Sequence, residues 1–151
     1  MAGDSHRPVV VGPIPPGATA GLRGEVLRPG QTAEDLVYPG DADPATVHLG
    51  AYVDGRLVGI ASLYREDRPG GPAGGWRLRG MATTPPARGR GVGAALLAAA
   101  VDHAARHHGA EVWCNARTVA IGFYHRAAFR VASEPFDIAG IGAHVVMVRA
   151  L

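Results

Sequence analysis

A chain of 151 residues, 47% apolar and 19% charged, suits one domain that buries roughly 70% of the surface its unfolded form exposes, which excludes a disordered polar chain. Fifteen basic side chains, all arginine, against thirteen acidic ones leave a net charge of +2, too little for the dense basic stripe of a nucleic-acid binder. A lone cysteine, Cys114, excludes an internal disulfide, and with no signal-peptide pattern and no apolar run long enough to cross a bilayer the expectation is a cytoplasmic protein away from the membrane.

Along the chain, Met1 to Arg7 are polar and read as loose. Pro8 to Gly12 has the β-branched run of a first strand, closed by Pro13 and Pro15. From Pro16 to Arg28, Ala18, Leu22 and Val26 recur every four residues before Pro29 and Gly30, which predicts an amphipathic helix. Residues 30–46 read as irregular. Thr46 to Val53 and Leu57 to Leu63 flank Asp54 and Gly55, a strong hairpin signal because Asp-Gly accepts the positive φ angles of a tight turn. Arg68 to Gly75 is a Gly/Pro-rich loop, and Trp76 to Thr83 resumes strand character until Pro85 and Pro86 end it. A helix over 91–108, a strand over 111–115, a helix over 118–127 and strands over 129–132 and 144–149 complete the order. A single mixed sheet with helices on both faces follows, with no linker that would separate a second domain.

The most informative stretch runs from Arg79 to Ala94, where a strand passes into a Gly-rich loop that opens a helix. Glycines at 89, 91 and 93 leave room for a diphosphate, the helix start presents unpaired amides, and its dipole favours negative charge. Arg88 and Arg90 add positive charge there. Residues 88–93 match the R-x-x-G-x-G loop of the GNAT N-acetyltransferases, and the segment from Asn115 to Arg130 resembles the one in which a Phe-Tyr pair on a helix precedes a Gly-Phe strand entry. Ala128 stands where the family usually has glycine. In the motif sense the resemblance covers residues 46–150.

The resemblance implies a mostly antiparallel mixed sheet flanked by helices, with a splayed strand pair that takes acetyl-coenzyme A as co-substrate. By motif position, Arg88, Gly89, Arg90, Gly91, Val92, Gly93 and Ala94 would hold the pyrophosphate. Met81, Ala82 and Thr83 would pair with the pantetheine arm and the acetyl carbonyl, and Asn115 would contact the coenzyme or an ordered water. Tyr124 would protonate the departing thiolate. His144, beside Gly140 and Gly142 in a hairpin that family members fold near the acetyl group, is the side-chain candidate for substrate binding or proton removal, with Glu111 or water as other bases. The acceptor is an amine of unknown identity; no metal, nucleic acid or membrane is implied, and a homodimer is compatible.

Two rivals stand beside this reading. Gly89, Gly91 and Ala94 also fit the G-x-G-x-x-A dinucleotide fingerprint, but Pro85, Pro86 and Ala87 separate the loop from its strand and Glu111 opens a strand rather than ending one. A non-catalytic sensor of acyl-coenzyme A is the other, and retention of Tyr124 argues against it. His103 and His107, four apart on the long helix, have metal-site spacing but flank Arg106, so a solvated face is expected, with Asp102 and Arg106 as a surface pair. Cys114 is expected to pack as a small apolar residue.

Overall fold

The computed structural model describes residues 7–151. The expectation for residues 1–7 therefore falls outside the described residues except at Arg7, whose guanidinium is tied to Asp54. Eight strands form one sheet in the order β1-β2-β3-β4-β5-β8-β6, with β7 pairing the far end of β8. The strands are β1 Val10–Ile14, β2 Val47–Val53, β3 Arg56–Arg65, β4 Gly75–Thr83, β5 Glu111–Arg117, β6 Arg130–Val131, β7 Phe136–Ile138 and β8 Gly142–Ala150. All neighbours are antiparallel except β4 and β5, so the mostly antiparallel mixed sheet is as expected.

The β2–β3 hairpin turns at Asp54 (φ 52°) and Gly55 (φ 75°), the two positive angles its sequence signals. β1 begins later than expected and runs through Pro13 to Ile14. It is the edge strand, paired only with β2, where a proline's missing donor can face outward at no cost to the ladder.

Residues 16–28 are helical as expected, but not as one α-helix. A 3-10 turn (Pro16–Thr19) leads into one α turn (α1, Ala20–Leu22) and a π turn (Arg23–Leu27), closed by the Arg28 amide donating to the Arg23 carbonyl at 2.8 Å. Gly17, Gly21 and Gly24 weaken α propensity by about 1 kcal/mol each, so tertiary contacts of the fully buried Arg23 set the winding. Its guanidinium donates to Asp41 at 2.6 and 3.1 Å, to the Leu36 carbonyl at 2.9 Å and to Ser62 at 3.0 Å. The stretch expected to be irregular thus carries buried Leu36, Tyr38 and Asp41.

The long helix α2 spans Val92–Arg106 and buries Val92, Leu96, Leu97, Ala100 and Ala104, the i, i+4 stripe of an amphipathic helix. These side chains share one apolar cluster with Leu49, Leu63, Leu78, Val112, Cys114 and Met147 of the sheet. Leu22 packs with Ile60 and Ala82 in a separate cluster. Helix α3 is Ile121–Arg126, entered through a 3-10 turn over Thr118–Ala120. β7 had no sequence signal: its three residues are too few to show a period.

Candidate active site

β4 and β5 are parallel but pair only over three residues each, Gly75 with Glu111, Trp76 with Val112 and Arg77 with Trp113. Beyond Arg77 they part. The opposite edge of β4 stays paired to β3 and the opposite edge of β5 to β8, so from Leu78 to Thr83 and from Cys114 to Arg117 the backbone edges facing each other have no strand partner. Unpaired backbone groups of this kind need hydrogen bonds from elsewhere. Between them opens a cavity of about 880 Å³ lined by both strand ends, by Phe123 and Tyr124 of α3, and by His144 of β8.

A β-bulge sits at the mouth of the split. Ser62 pairs with Arg79 and Ile60 with Ala82, so Ala61 alone opposes Gly80 and Met81. Gly80 holds φ at 66°, and a side chain on it would come within 3.3 Å of the Tyr38 ring. Such a bulge re-aims the strand and leaves a residue outside the regular ladder.

The loop after β4 passes directly into α2. Gly91 caps α2 from the left-handed region (φ 79°) without any side-chain cap, and the amides of residues 89–94 have no backbone acceptor among the described residues. Open space surrounds both Gly89 and Gly91. The Arg88 guanidinium donates to the Thr83 carbonyl at 3.2 Å, bracing the loop against the end of β4. Free amides, a positive helix end and adjacent arginines are the donor set that a diphosphate requires, and they open onto the same cavity, since Arg88 and Gly93 line it with Met81, Ala82 and Thr83. These residues fit a coenzyme A chain running from the loop into the split.

Asn115 projects from the β5 edge into the cavity. Tyr124 packs edge-on to Phe123 and Phe129, with ring centroids at 5.0 and 5.6 Å. Burial raises its pKa well above the ordinary tyrosine value, and the neighbouring Cys114 thiol raises it further. The same burial pushes Cys114 up to about 12; this cysteine is 2% exposed and stays a thiol. His144 is buried, stacked on Phe136, with Nδ1 2.7 Å from the Gly142 carbonyl. A carbonyl can only accept, so Nδ1 carries a proton, and in the neutral ring the lone pair lies on Nε2, which has no hydrogen-bond partner among the described residues.

Glu111, the other candidate base, is bound by Arg68 at 2.9 and 3.0 Å. It sits at the closed end of the β4–β5 pair and does not line the cavity. His103 departs from the solvated face expected of it: it is half-buried, edge-on to Trp76 at 5.4 Å and stacked on His107 at 4.1 Å. Asp102 and Arg106 do form the surface pair, at 2.9 Å. Sequence reasoning missed Tyr38, Arg77, Arg79 and Arg28, which all line the cavity; the one legible signal was charge alternating with apolar residues along β4.

A mostly antiparallel sheet that splits beside a Gly-rich helix start is the architecture the resemblance implied. The model of the acetyltransferase (GNAT) family matches residues 23–129. The uncharacterized N-acetyltransferase YitI of Bacillus subtilis (strain 168) is 39% identical over 131 residues, which is 86% of this chain and 88% of that protein. Among solved structures, Escherichia coli ElaA superposes with a TM-score of 0.76 at 17% identity, over 94% of this chain and 99% of that one. An aminoglycoside 6'-N-acetyltransferase complexed with coenzyme A does so with a TM-score of 0.75 at 12% identity, over 93% and 96%. The chain belongs to the GNAT family and is an N-acetyltransferase. The dinucleotide-fold rival is excluded, since its sheet would be mostly parallel where this one has a single parallel pair.

Proposed function

We propose that this enzyme moves the acetyl group of acetyl-coenzyme A directly to a primary amine in the split between β4 and β5. The observation that carries the reading is the split itself: two unpaired strand edges lead from the anion-binding loop to Tyr124 and His144. When bound, acetyl-coenzyme A supplies a thioester carbonyl and a thiolate leaving group. Backbone groups of Met81, Ala82 and Thr83 hold the pantetheine arm as an added strand would be held, and the amides of residues 89–94 with Arg88 and Arg90 hold the pyrophosphate. Amides at the bulge stabilise the charge that develops on the carbonyl oxygen. Asn115 orients the coenzyme from the β5 side.

The His144 Nε2 lone pair takes the proton that the amine sheds on attack. Tyr124 keeps its own proton throughout the physiological range and presents it to the sulfur. A hydroxyl titrating above a thiol of ~8.5 acts chiefly as a hydrogen-bond donor to the leaving thiolate, and the amine's proton, passed on through water, completes the thiol. No acyl-enzyme is formed, because Cys114, the cavity's one thiol, is buried and protonated. Dependence on acetyl-coenzyme A fits a cytoplasmic enzyme; none of the described helices is long and apolar enough to span a membrane.

A thermal-shift titration tests the co-substrate. At about 100 times its dissociation constant, acetyl-coenzyme A stabilises the protein by about 2.7 kcal/mol through mass action, and NADH does not. Stabilisation by NADH with acetyl-coenzyme A inert would overturn the reading.

A further inference from the structure

The side of the cavity formed by the first helical segment carries more positive charge than the described residues balance. Arg77 and Arg79 alternate along β4 with Trp76 and Leu78, which pack into the cluster shared with α2, so the two guanidiniums project to the other face. Arg79 lies over the Tyr38 ring at 4.5 Å, half-buried, and has no hydrogen-bond or ion-pair partner among the described residues. Burial lowers its pKa, with Arg77 adding to the effect. Arg28, at the end of the π turn, also lines the cavity, and its guanidinium likewise has no hydrogen-bond or ion-pair partner among the described residues. Among the described residues no aspartate or glutamate lines the cavity. Asp41 is engaged by Arg23 at 2.6 Å and Glu66 by Arg77 at 3.2 Å.

An unpaired, partly desolvated guanidinium is costly unless something anionic meets it. Arg79 has the planar fork that matches a carboxylate in two parallel hydrogen bonds. Its face is also the one turned away from the coenzyme loop, which has arginines of its own at 88 and 90. From this we infer that the acceptor is a small amine bearing a carboxylate, bound with its carboxylate on Arg79 and supported by Arg28 and Arg77. The same charges disfavour a protonated amine, which promotes the uncharged form that attacks and repels polyamines. The inference rests on the acetyl-transfer reading and names its acceptor class.

The experiment is a set of matched amines assayed in two ways with the full chain. The acids are β-alanine, γ-aminobutyrate and L-aspartate. The comparators are β-alaninamide, O-phosphoethanolamine, putrescine and spermidine. Thiol release from acetyl-coenzyme A gives kcat/KM, and calorimetry in the presence of coenzyme A gives affinity without turnover. The acids are expected to exceed the amide and the polyamines by about 10- to 100-fold in both readouts, the scale of one charged hydrogen-bonded pair. Arg79→Gln should bring the acid-to-amide ratio to within about threefold of unity, mainly through KM, with Arg79→Lys intermediate. Thermal stabilisation by coenzyme A serves as the folding control for each variant.

Preference for a polyamine or for the amide would overturn the carboxylate assignment while leaving acetyl transfer standing. Preference for the phosphate-bearing amine would overturn the carboxylate and retain only a general anion site. If Arg79→Gln weakens coenzyme A binding as much as acid binding, Arg79 belongs to the coenzyme site and the inference fails. Absence of thiol release with every amine counts against the acetyl-transfer reading, and calorimetry then decides this one by whether the acids bind more tightly than the amide.

Discussion

Tyr124 shows how surroundings rather than residue type decide what a side chain can do. A half-buried tyrosine beside a buried thiol, both with raised pKa, remains neutral where an exposed pair would begin to ionise. Tyr124→Phe keeps the aromatic contacts to Phe123 and Phe129 and removes only the donor. Single-turnover rates at saturating acetyl-coenzyme A should fall about 10- to 100-fold, the scale of one hydrogen bond to a charged group, with coenzyme affinity unchanged. A rate within twofold of wild type would make Tyr124 a packing residue. Ala128 makes a second residue-scale case. Its φ is 67°, and its amide and that of Phe129 donate to His125 and Tyr124 at 3.0 and 3.1 Å, the Schellman closure that glycine usually provides. Ala128→Gly should therefore stabilise the fold, since relief of ~1–2 kcal/mol of left-handed strain exceeds the added chain entropy of ~0.5–1 kcal/mol. The expected rise in Tm is about 2–4 °C; a fall would show that Ala128 is not strained. Tyr124, Asn115 and His144 could all be found in the sequence because short motifs mark them, whereas Arg79 could not. Its meaning depends on Tyr38, forty-one residues earlier, and on the absence of a carboxylate partner, and neither is a local property of the chain.

Among the elements, the hairpin and α2 were legible from turn chemistry and period, while the first helix was legible only as an amphipathic segment. Its π turn is set by Arg23 reaching Asp41, Ser62 and Tyr64, contacts that no helical period encodes. β7 was not legible, and β5 runs two residues beyond its apolar stretch because β8 pairs it as far as Arg117. The bulge in β4 is the element on which the site depends. Gly80→Ala places a side chain on a left-handed backbone within 3.3 Å of Tyr38, at a cost of about 1–2 kcal/mol. Both Tm and kcat/KM should fall, since the bulge amides and the Tyr38–Arg79 contact shift together. Unchanged kcat/KM with lowered Tm would separate the bulge from the chemistry.

For the whole molecule, the Arg23–Asp41 pair joins the first helical segment to the segment before β2, and it makes stability depend on pH. Burial alone would raise the Asp41 pKa, but hydrogen bonds from Arg23, Tyr64 and the Tyr38 amide outweigh it and leave the folded value below the ordinary 3.8. A depressed folded pKa contributes stability that is complete above the unfolded value and is lost as pH falls through the folded one. Stability to denaturant should therefore fall below about pH 4, and Asp41→Asn should be less stable than wild type at pH 7 with a shallower acid dependence. An unchanged acid slope in that variant would contradict the assignment. Removing one partner of this buried pair costs about 3–5 kcal/mol, and the loss should open the wall that carries Tyr38.

The central claim is that acetyl passes directly from coenzyme A to the amine inside the split, with no covalent enzyme intermediate. Rapid mixing of the protein with acetyl-coenzyme A, with and without β-alanine, while free thiol is followed in time and the protein mass is recorded, tests it most directly. The account predicts thiol release only when an amine is present and a protein mass that does not change. Stoichiometric thiol release without amine, together with one acetyl group on Cys114, would contradict it.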